Sequence, residues 1–107
     1  MHIQTHGHQT SGIKFYIAHG GVEIARTYLY FLQNDLHKEP FGYIEDVFTH
    51  PQYRGNGYAS QLIDEVIEYA RGYGCYKLIL VTSKDELAEW YARHGFEKRG
   101  IEMRIDF

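Results

Sequence analysis

A glycine turn between a strand-like run and an amphipathic helix is the feature that most constrains the fold of this chain. The turn reads Gln52-Tyr53-Arg54-Gly55-Asn56-Gly57, follows the apolar run Phe41–Thr49, and leads into a helical pattern that starts near Tyr58. In such a strand-turn-helix unit the first backbone N–H groups of the helix point outward, and the helix dipole adds partial positive charge. Glycine permits positive φ and close approach of a ligand to the main chain. The turn therefore predicts a site for a phosphate or diphosphate group.

The residues after the turn predict a βαβ unit. Gly72 and Gly74 end the helical pattern, whose apolar stripe is Leu62, Ile63, Val66, Ile67 and Ala70. The next run, Lys77–Thr82, is almost continuously apolar, which is typical of a strand buried on both faces. A strand, a helix and a second strand in this order predict a right-handed crossover between parallel strands.

Alternation along Phe41–His50 assigns its side chains to two faces. It places Glu45 and Val47 on one face, and Ile44 and Asp46 on the other. Each face is mostly apolar, so we expect both to be covered. Each face then carries one carboxylate at the middle of the strand, where an unpaired charge is costly.

The segment before this strand predicts a hairpin. Ile13–Ala18 and Val22–Gln33 are two β-like runs, separated by the turn signal His19-Gly20-Gly21. The polar residues 1–12 are expected to be flexible.

The segment after the second parallel strand predicts one more helix and one more strand. Ser83 and Glu86 have the spacing of a capping box that opens a helix over 84–94, and Gly95 closes it. Phe96–Phe107 is expected to form a last strand region with a break at Gly100. The predicted order is β-β-β-α-β-α-β in a single α+β domain, a mixed α/β three-layer fold over residues 1–107.

Composition narrows the class of protein. The 107 residues are 44% hydrophobic and 23% charged, as in soluble globular domains. The net charge of −3 and the lack of a basic patch argue against a nucleic-acid partner. No apolar stretch reaches the roughly 20 residues of a membrane span. With a single cysteine and no signal-peptide pattern, we expect a cytoplasmic protein with no membrane partner.

Neither common phosphate-binding motif explains the turn. A Walker loop needs Gly-Lys-Ser/Thr, whereas Tyr58 follows Gly57. A dinucleotide fingerprint needs a third glycine, where this chain has Ser60. A simple tight connection between strand and helix therefore remains open on the turn alone. His2, His6 and His8 lack a Cys or acidic partner at ligand spacing, so no metal site is expected.

Two separated motifs resemble the GNAT superfamily, the Gcn5-related N-acetyltransferases. Gln52, Gly55 and Gly57 match its Q/R-x-x-G-x-G/A core motif, and Trp90–Phe96 is similar to its F-Y-x-x-x-G-F segment. The resemblance covers roughly residues 14–107 and implies an acyl-CoA N-acyltransferase fold, acetyl-CoA as the cosubstrate, and transfer to an amine. Only a short polar segment precedes the first hairpin, whereas GNAT domains usually begin with a strand and two helices. Lys84 and Leu87 also replace the family's frequent Asn and Ala.

The resemblance implies how the cofactor lies. Backbone N–H groups of the turn and of the helix start hold the diphosphate, with Arg54 as an additional charge. The amide-rich pantetheine arm lies along the end of the preceding strand, as an added strand would. The candidate cofactor residues are Val47, Phe48, Thr49, Gln52, Tyr53, Arg54, Gly55, Asn56, Gly57, Tyr58 and Ala59.

Three residues are candidates for catalysis. An amine is protonated at neutral pH and must lose a proton, so Glu45, our first choice, or Asp46 is expected to act as a base. Either carboxylate could instead bind the ammonium or pair with a neighbouring strand. Tyr91 matches the family's catalytic tyrosine, which protonates the CoA thiolate, although a core aromatic is the alternative. A main-chain N–H near Val47 could stabilise the oxyanion. Cys75 is expected to be a packed thiol.

The resulting hypothesis is an N-acetyltransferase that acts by direct transfer on a small primary amine: an amino sugar, an amino acid derivative or a polyamine. A peptide or protein N-acetyltransferase and a non-catalytic CoA-binding domain are the alternatives. Ile44–Val47 and Cys75–Leu78 also resemble segments of glucosamine-6-phosphate N-acetyltransferases. Because the chain is short and Ile101–Phe107 is apolar enough to need a cover, we expect a homodimer.

Overall fold

Four strands form one sheet in the order β1-β2-β3-β4, and two helices accompany it in a computed structural model that describes residues 1–107. The elements are β1 (Ser11–His19), β2 (Val22–Leu32), β3 (Phe41–Thr49), a 3₁₀ turn (Pro51–Tyr53), α1 (Tyr58–Tyr73), β4 (Leu78–Ile79) and α2 (Asp85–Arg93). The predicted α+β class is confirmed.

The strand pairing follows the predicted pattern. β1 and β2 form an antiparallel hairpin, whose turn uses Gly20 at φ +58° and Gly21 at φ +78°. β2 and β3 are antiparallel, and β3 and β4 are parallel and joined through α1. The hairpin and the parallel strand-helix-strand unit are therefore confirmed.

The core lies between α1 and one face of the sheet. Its buried members are Leu29, Phe31, Ile44, Ile63, Val66, Ala70 and Tyr91. Ile63 and Val66, from the predicted stripe of α1, are fully buried. Burying a side chain of this size contributes about 1.5–3 kcal/mol. Gly74 ends the helix at φ +100°, and its N–H donates to the carbonyl of Ala70.

The other face of the sheet is open, contrary to the expectation that both faces of β3 are covered. Gly42 and Ile44 are buried, but Glu45 and Asp46 are exposed. The rings of Tyr28 and Tyr30 stack on this face at 6.2 Å between centroids. Residues 1–10 form no regular secondary structure and are exposed, so they do not shield it.

A β-bulge in β3 corrects the predicted assignment of side chains to faces. Tyr28 pairs with Glu45 but Arg26 pairs with Phe48, so β3 contains one extra residue. The bulge includes Asp46 at φ +57°. It allows Ile44 and Val47, three residues apart, both to pack on the core. The strict alternation that put Val47 with Glu45 was therefore wrong.

A buried hydroxyl stabilises the bulge. The side chain of Thr27 donates a hydrogen bond to the carbonyl of Glu45 at 3.1 Å. Thr27 is fully buried, and no buried side-chain polar atom in the protein lacks a partner. A polar group at this depth is costly unless it is bonded. The bond therefore accounts for a threonine in the apolar interior.

The second half of the βαβ unit is shorter than expected. β4 spans only Leu78–Ile79, not Lys77–Thr82, and its residues are half-buried rather than buried on both faces. Val81 is 47% exposed. The last predicted strand, Phe96–Phe107, is not formed. A strand requires a ladder partner, and β4 pairs through two residues to β3 alone. The apolar side chains Ile101, Met103, Ile105 and Phe107 are consequently exposed.

Helix α2 begins one residue later than the capping box predicted. Lys84, not Ser83, is the N-cap, and no side chain caps the helix. The Lys84 N–H donates instead to the hydroxyl of Thr82 at 3.4 Å. Asp85 and Glu86 in the first turn still provide negative charge at the positive end of the helix dipole. Neither helix is long and apolar enough to cross a bilayer.

Candidate active site

The turn after β3 leaves the start of α1 free to bind an anion. Gly55 and Gly57 have φ of +81° and +79°, and a Cβ added to either would meet nothing within 4 Å. No side chain caps the helix at Gly57. The Gln61 N–H bonds the Gly57 carbonyl at 3.0 Å, so the N–H groups of the three preceding residues have no partner within the helix. Such a helix start favours phosphate.

Side chains around the turn hold its shape. Asn56 Nδ2 donates to the Tyr53 carbonyl at 3.0 Å, and Arg54 Nε donates to the Thr49 carbonyl at 3.0 Å. Nδ1 of His50 accepts the N–H of Gln52 at 3.2 Å. These bonds tie the turn both to itself and to the end of β3. The backbone donors are therefore preorganised before a ligand binds.

A cavity of about 710 Å³ joins the turn to α2. All the candidate cofactor residues line it except Gln52 and Asn56, which instead shape the turn. Six further residues that were not among the candidates also line it: Ser60, Lys84, Glu86, Leu87, Trp90 and Arg93. Three of the lining side chains are cationic, namely Arg54, Lys84 and Arg93, against one carboxylate, Glu86. This excess of positive charge suits a polyphosphate ligand.

A second cavity, of about 380 Å³, adjoins the first. The two share Val47, Leu87 and Tyr91, and the second also contains Glu45 and Asp46. A groove on the open face of the sheet then extends past both carboxylates, with a volume of about 600 Å³, and is lined mainly by Tyr28, Tyr30 and Tyr43. A continuous path therefore leads from the phosphate-binding turn, past the three candidate catalytic residues, to an aromatic groove.

The two carboxylates differ in their surroundings. Asp46 Oδ2 accepts a hydrogen bond from Arg26 Nε at 3.1 Å, and this bond raises the pKa of Arg26. Glu45 forms no salt bridge. Burial, and then the negative charge of Glu45, raises the pKa of Tyr43. Of the two carboxylates, Glu45 is thus the one without a cationic partner.

Tyr91 packs in the hydrophobic core and also lines the cleft. It is 7% exposed, its ring contacts Trp90 and Phe96, and the residue lines both cavities. Burial raises the pKa of its phenol, so the hydroxyl stays protonated at neutral pH. A protonated phenol beside the carboxylates can donate a hydrogen bond or a proton.

The family is decided by a match along most of the chain. The model of the Acetyltransferase (GNAT) family matches residues 3–96. The chain belongs to the GNAT acetyltransferase family. This assignment agrees with both motifs found in the sequence.

Over about 60% of its length the chain is similar to two named GNAT acetyltransferases, and over most of its length to a solved structure. It is 43% identical over 65 residues to a glucosamine 6-phosphate N-acetyltransferase of Trypanosoma brucei brucei, covering 61% of this chain and 44% of that one. A rice glucosamine 6-phosphate N-acetyltransferase is 36% identical over 66 residues, covering 62% and 39%. The chain thus spans less than half the length of these relatives. A crystal structure of a Trypanosoma brucei acetyltransferase superposes with a TM-score of 0.84 at 30% identity, covering 90% of this chain and 69% of that chain.

The Cys75 thiol and the N-terminal histidines do not line the cleft. Burial raises the pKa of the Cys75 thiol, which packs against the core and lies near Gly42. A protonated, packed thiol is a poor nucleophile. No three His, Cys, Asp or Glu side chains come together as a metal site, and His8 lies 3.8 Å from Asp35 instead.

Proposed function

We propose that this GNAT chain transfers an acetyl group from acetyl-CoA to a primary amine of a small molecule. One observation carries the proposal: the cavity at the phosphate-binding turn and the cavity holding Glu45 share Val47 and Tyr91. A donor bound at the turn and an amine bound at the carboxylates would thus meet between these two residues. Transfer can occur directly, without a covalent intermediate on the protein.

The donor is positioned by charge at one end and by backbone at the other. The N–H groups at the start of α1, with Arg54, Lys84 and Arg93 nearby, support binding of the diphosphate. The end of β3, Val47–Thr49, borders the same cavity and could bond the amides of the pantetheine arm. This arrangement would place the thioester beside Tyr91.

Glu45 and Tyr91 would transfer the protons that the reaction requires. Glu45 accepts a proton from the ammonium, directly or through water, and the free amine attacks the thioester carbonyl carbon. A main-chain N–H near Val47 stabilises the oxyanion. The C–S bond then breaks, and Tyr91 donates its proton to the leaving sulfur. The nitrogen still carries a second proton after the attack, and releases it through water to the Tyr91 phenolate. The products are the amide, the CoA thiol, a neutral Tyr91 and a protonated Glu45, which returns its proton to solvent.

An amino sugar phosphate is the acceptor that we favour. The two curated relatives described above act, by name, on glucosamine 6-phosphate. The aromatic groove next to Glu45 offers ring faces for the apolar side of a sugar and attraction for a cation. Because this groove is open, a peptide N-terminus is the second candidate acceptor.

A homodimer belongs to the same proposal. The exposed residues Ile101, Met103, Ile105 and Phe107 alternate with charged ones, as in a strand that lacks a partner. Exposed apolar patches of this kind mark interaction sites.

Thiol release tests the enzyme proposal. Purified protein is first titrated with acetyl-CoA by calorimetry and is then assayed with glucosamine 6-phosphate, glucosamine, spermidine and an unblocked peptide. We expect about one acetyl-CoA per chain and the fastest release with glucosamine 6-phosphate. Fastest release with the peptide would favour the second acceptor class. Binding of acetyl-CoA by folded protein without turnover of any amine would leave a CoA-binding domain.

A further inference from the structure

Ser60, His94 and Asp64 form a hydrogen-bonded chain at the edge of the cofactor cavity. His94 Nε2 lies 3.3 Å from Ser60 Oγ, and His94 Nδ1 lies 2.8 Å from Asp64 Oδ1. Ser60 and Asp64 lie one turn apart on α1, and His94 is the C-cap of α2. Ser60 lines the cofactor cavity, whereas His94 lines a separate cavity of about 380 Å³. These two hydrogen bonds therefore connect the first turn of α1 to the helix that carries Tyr91.

The positions of the protons in this chain follow from its chemistry. An ionised Asp64 can only accept, so His94 Nδ1 carries a hydrogen. When His94 is neutral, Nε2 is an acceptor, and the hydroxyl of Ser60 must donate to it. When His94 is charged, Nε2 donates to Ser60 Oγ, and the hydroxyl hydrogen is released for another acceptor. The charge of His94 thus decides whether Ser60 can donate into the cavity.

We infer that binding of the CoA diphosphate is coupled to protonation of His94. In the bound state His94 Nε2 donates to Ser60 Oγ, the Ser60 hydroxyl donates to a diphosphate oxygen, and Asp64 accepts from Nδ1. One proton is taken from solvent, and no covalent bond forms or breaks. Ser60 is then a ligand-binding residue, and His94 and Asp64 are positioning residues. This inference rests on the proposed acetyl-CoA site.

The surroundings of His94 suit such a switch. Histidine is the side chain that most readily changes charge near neutral pH. The His94 side chain is only 13% exposed, and its ring lies 4.7 Å from that of Trp90 on α2. Asp64 is the carboxylate in direct contact.

Other charges near His94 are paired among themselves. Arg71 of α1, and Glu97 and Arg99 of the segment after α2, line a separate cavity together with His94. Arg71 pairs with Glu68, and Arg99 pairs with Glu97. Arg93, which precedes His94 in the sequence, lines the cofactor cavity. Asp64 is therefore the carboxylate in contact with His94, and an anion bound beyond Ser60 would be the second negative charge near its ring.

The three residues have the connectivity of a Ser-His-Asp catalytic triad, which is the competing interpretation. In a triad the neutral histidine takes the serine proton. That use requires an acyl carbonyl at Ser60, whereas Ser60 lies in the first turn of α1 among the N–H groups that suit phosphate. We therefore favour the binding role and make hydrolysis an outcome of the test.

The experiment is calorimetric titration with 3′-dephospho-CoA, in buffers of different ionisation enthalpy, from pH 6 to pH 9. This ligand keeps the diphosphate but lacks the phosphate monoester, which would itself titrate near pH 6. For the wild type we expect uptake of a fraction of a proton, which decreases as the pH rises above the range where histidine is charged. His94→Gln and Ser60→Ala should abolish uptake and weaken binding at pH 6 on the order of tenfold.

Controls separate this role from a structural one. Ser60→Thr keeps a hydroxyl and should restore both affinity and proton uptake. His19→Gln, at the end of β1 and away from the cavity, should leave both unchanged. Pantetheine lacks the diphosphate, so its binding should be the same in the wild type and in all four variants.

The outcomes distinguish this inference from the enzyme proposal. Tight binding by the wild type without proton uptake overturns the role of His94 and leaves the cofactor site intact. No binding by folded wild-type protein overturns the cofactor site itself. Hydrolysis of acetyl-CoA that Ser60→Ala abolishes, while dephospho-CoA binding persists, identifies a nucleophile and overturns the binding role.

Discussion

Arg26 Nε donates to Asp46 Oδ2 at 3.1 Å, and this pair joins the middle of β2 to the bulge of β3. Asp46 has a φ of +57°, a conformation that costs of order 1–3 kcal/mol in a residue other than glycine. The ion pair is partly exposed, so solvent screening limits how far it can offset that strain. Glu45, one residue earlier, has no such partner. The adjacent carboxylates are therefore suited to different roles.

Isosteric substitution of each carboxylate tests this division. Glu45→Gln should lower kcat by about 10²–10⁴-fold because it removes the proton acceptor, and should leave stability nearly unchanged. Asp46→Asn should keep most of the activity and lower the urea midpoint slightly because it weakens the bond to Arg26. Steady-state thiol release and urea unfolding measure the two effects. A loss of kcat in Asp46→Asn alone would transfer the role of base to Asp46.

Filling the space above the turn should abolish cofactor binding. Gly57→Trp places a large side chain where nothing lies within 4 Å, and at a φ of +79° it also strains the N-cap. We expect the affinity for acetyl-CoA to fall below detection in calorimetry. Gly72→Trp is the matched control, because Gly72 lies exposed near the other end of α1 with nothing within 4 Å. Equal loss of binding in both variants would contradict a phosphate site at the turn.

The pH profile should reveal the phenol of Tyr91. Burial raises its pKa above the usual value of about 10. The active, protonated form should therefore persist to about pH 10, and kcat should fall only at still higher pH. Tyr91→Phe should lower kcat and remove this alkaline limb.

The same pKa shift affects stability with a definite sign. The folded state holds the Tyr91 proton more tightly than the unfolded state does. The contribution of this phenol to the free energy of unfolding is therefore complete below the unfolded pKa and is lost as the pH rises through the folded pKa.

Tyr73→Phe, at a site 51% exposed, controls for the loss of a phenol. An unchanged alkaline limb in Tyr91→Phe would leave Tyr91 as a core aromatic only.

The packing of α1 on the sheet sets the stability of the domain. Ile63 is fully buried in the core cluster, so Ile63→Ala should lower the free energy of unfolding by about 2–5 kcal/mol. Ile105→Ala makes the same change at a side chain that is 78% exposed and should be nearly neutral. Urea unfolding monitored by circular dichroism gives both values. Similar losses in the two variants would mean that residues 101–107 are packed in solution.

Sedimentation equilibrium tests the homodimer. The expected mass is twice the chain mass of 12.6 kDa. Ile105→Asp should shift the protein to the monomer because it places a charge in the proposed interface, whereas Ile3→Asp, at another exposed isoleucine, should not. A concentration-independent monomer in the wild type would refute the dimer.

Local signals in the sequence were sufficient for much of this fold. Gly20 and Gly21 identified the hairpin turn, Gly74 the end of α1, and Gly55 and Gly57 the open helix start, because each needs a positive φ. The stripe of α1 identified the core face of the helix. These features depend on residues that are close together along the chain.

Features that depend on distant partners were not predictable in this way. Phe96–Phe107 has the alternation of a strand, but alternation does not provide a ladder partner, and none pairs with it. Ser83 has the spacing of a cap, yet the hydroxyl of Thr82 takes the N–H that starts α2. His94 contacts residues 30 and 34 positions away, and no pattern indicated that.

Because of the bulge in β3, the deletion of one residue from this strand should matter more than the substitution of one residue. One extra residue lets two consecutive carboxylates reach the cleft while Ile44 and Val47 both remain on the core. Deleting one residue at the bulge would restore regular alternation along β3. Either a carboxylate side chain would then face the core, or Val47 would turn away from it. Loss of a single residue at this point should therefore disable the protein more completely than any one substitution of Glu45 or Asp46.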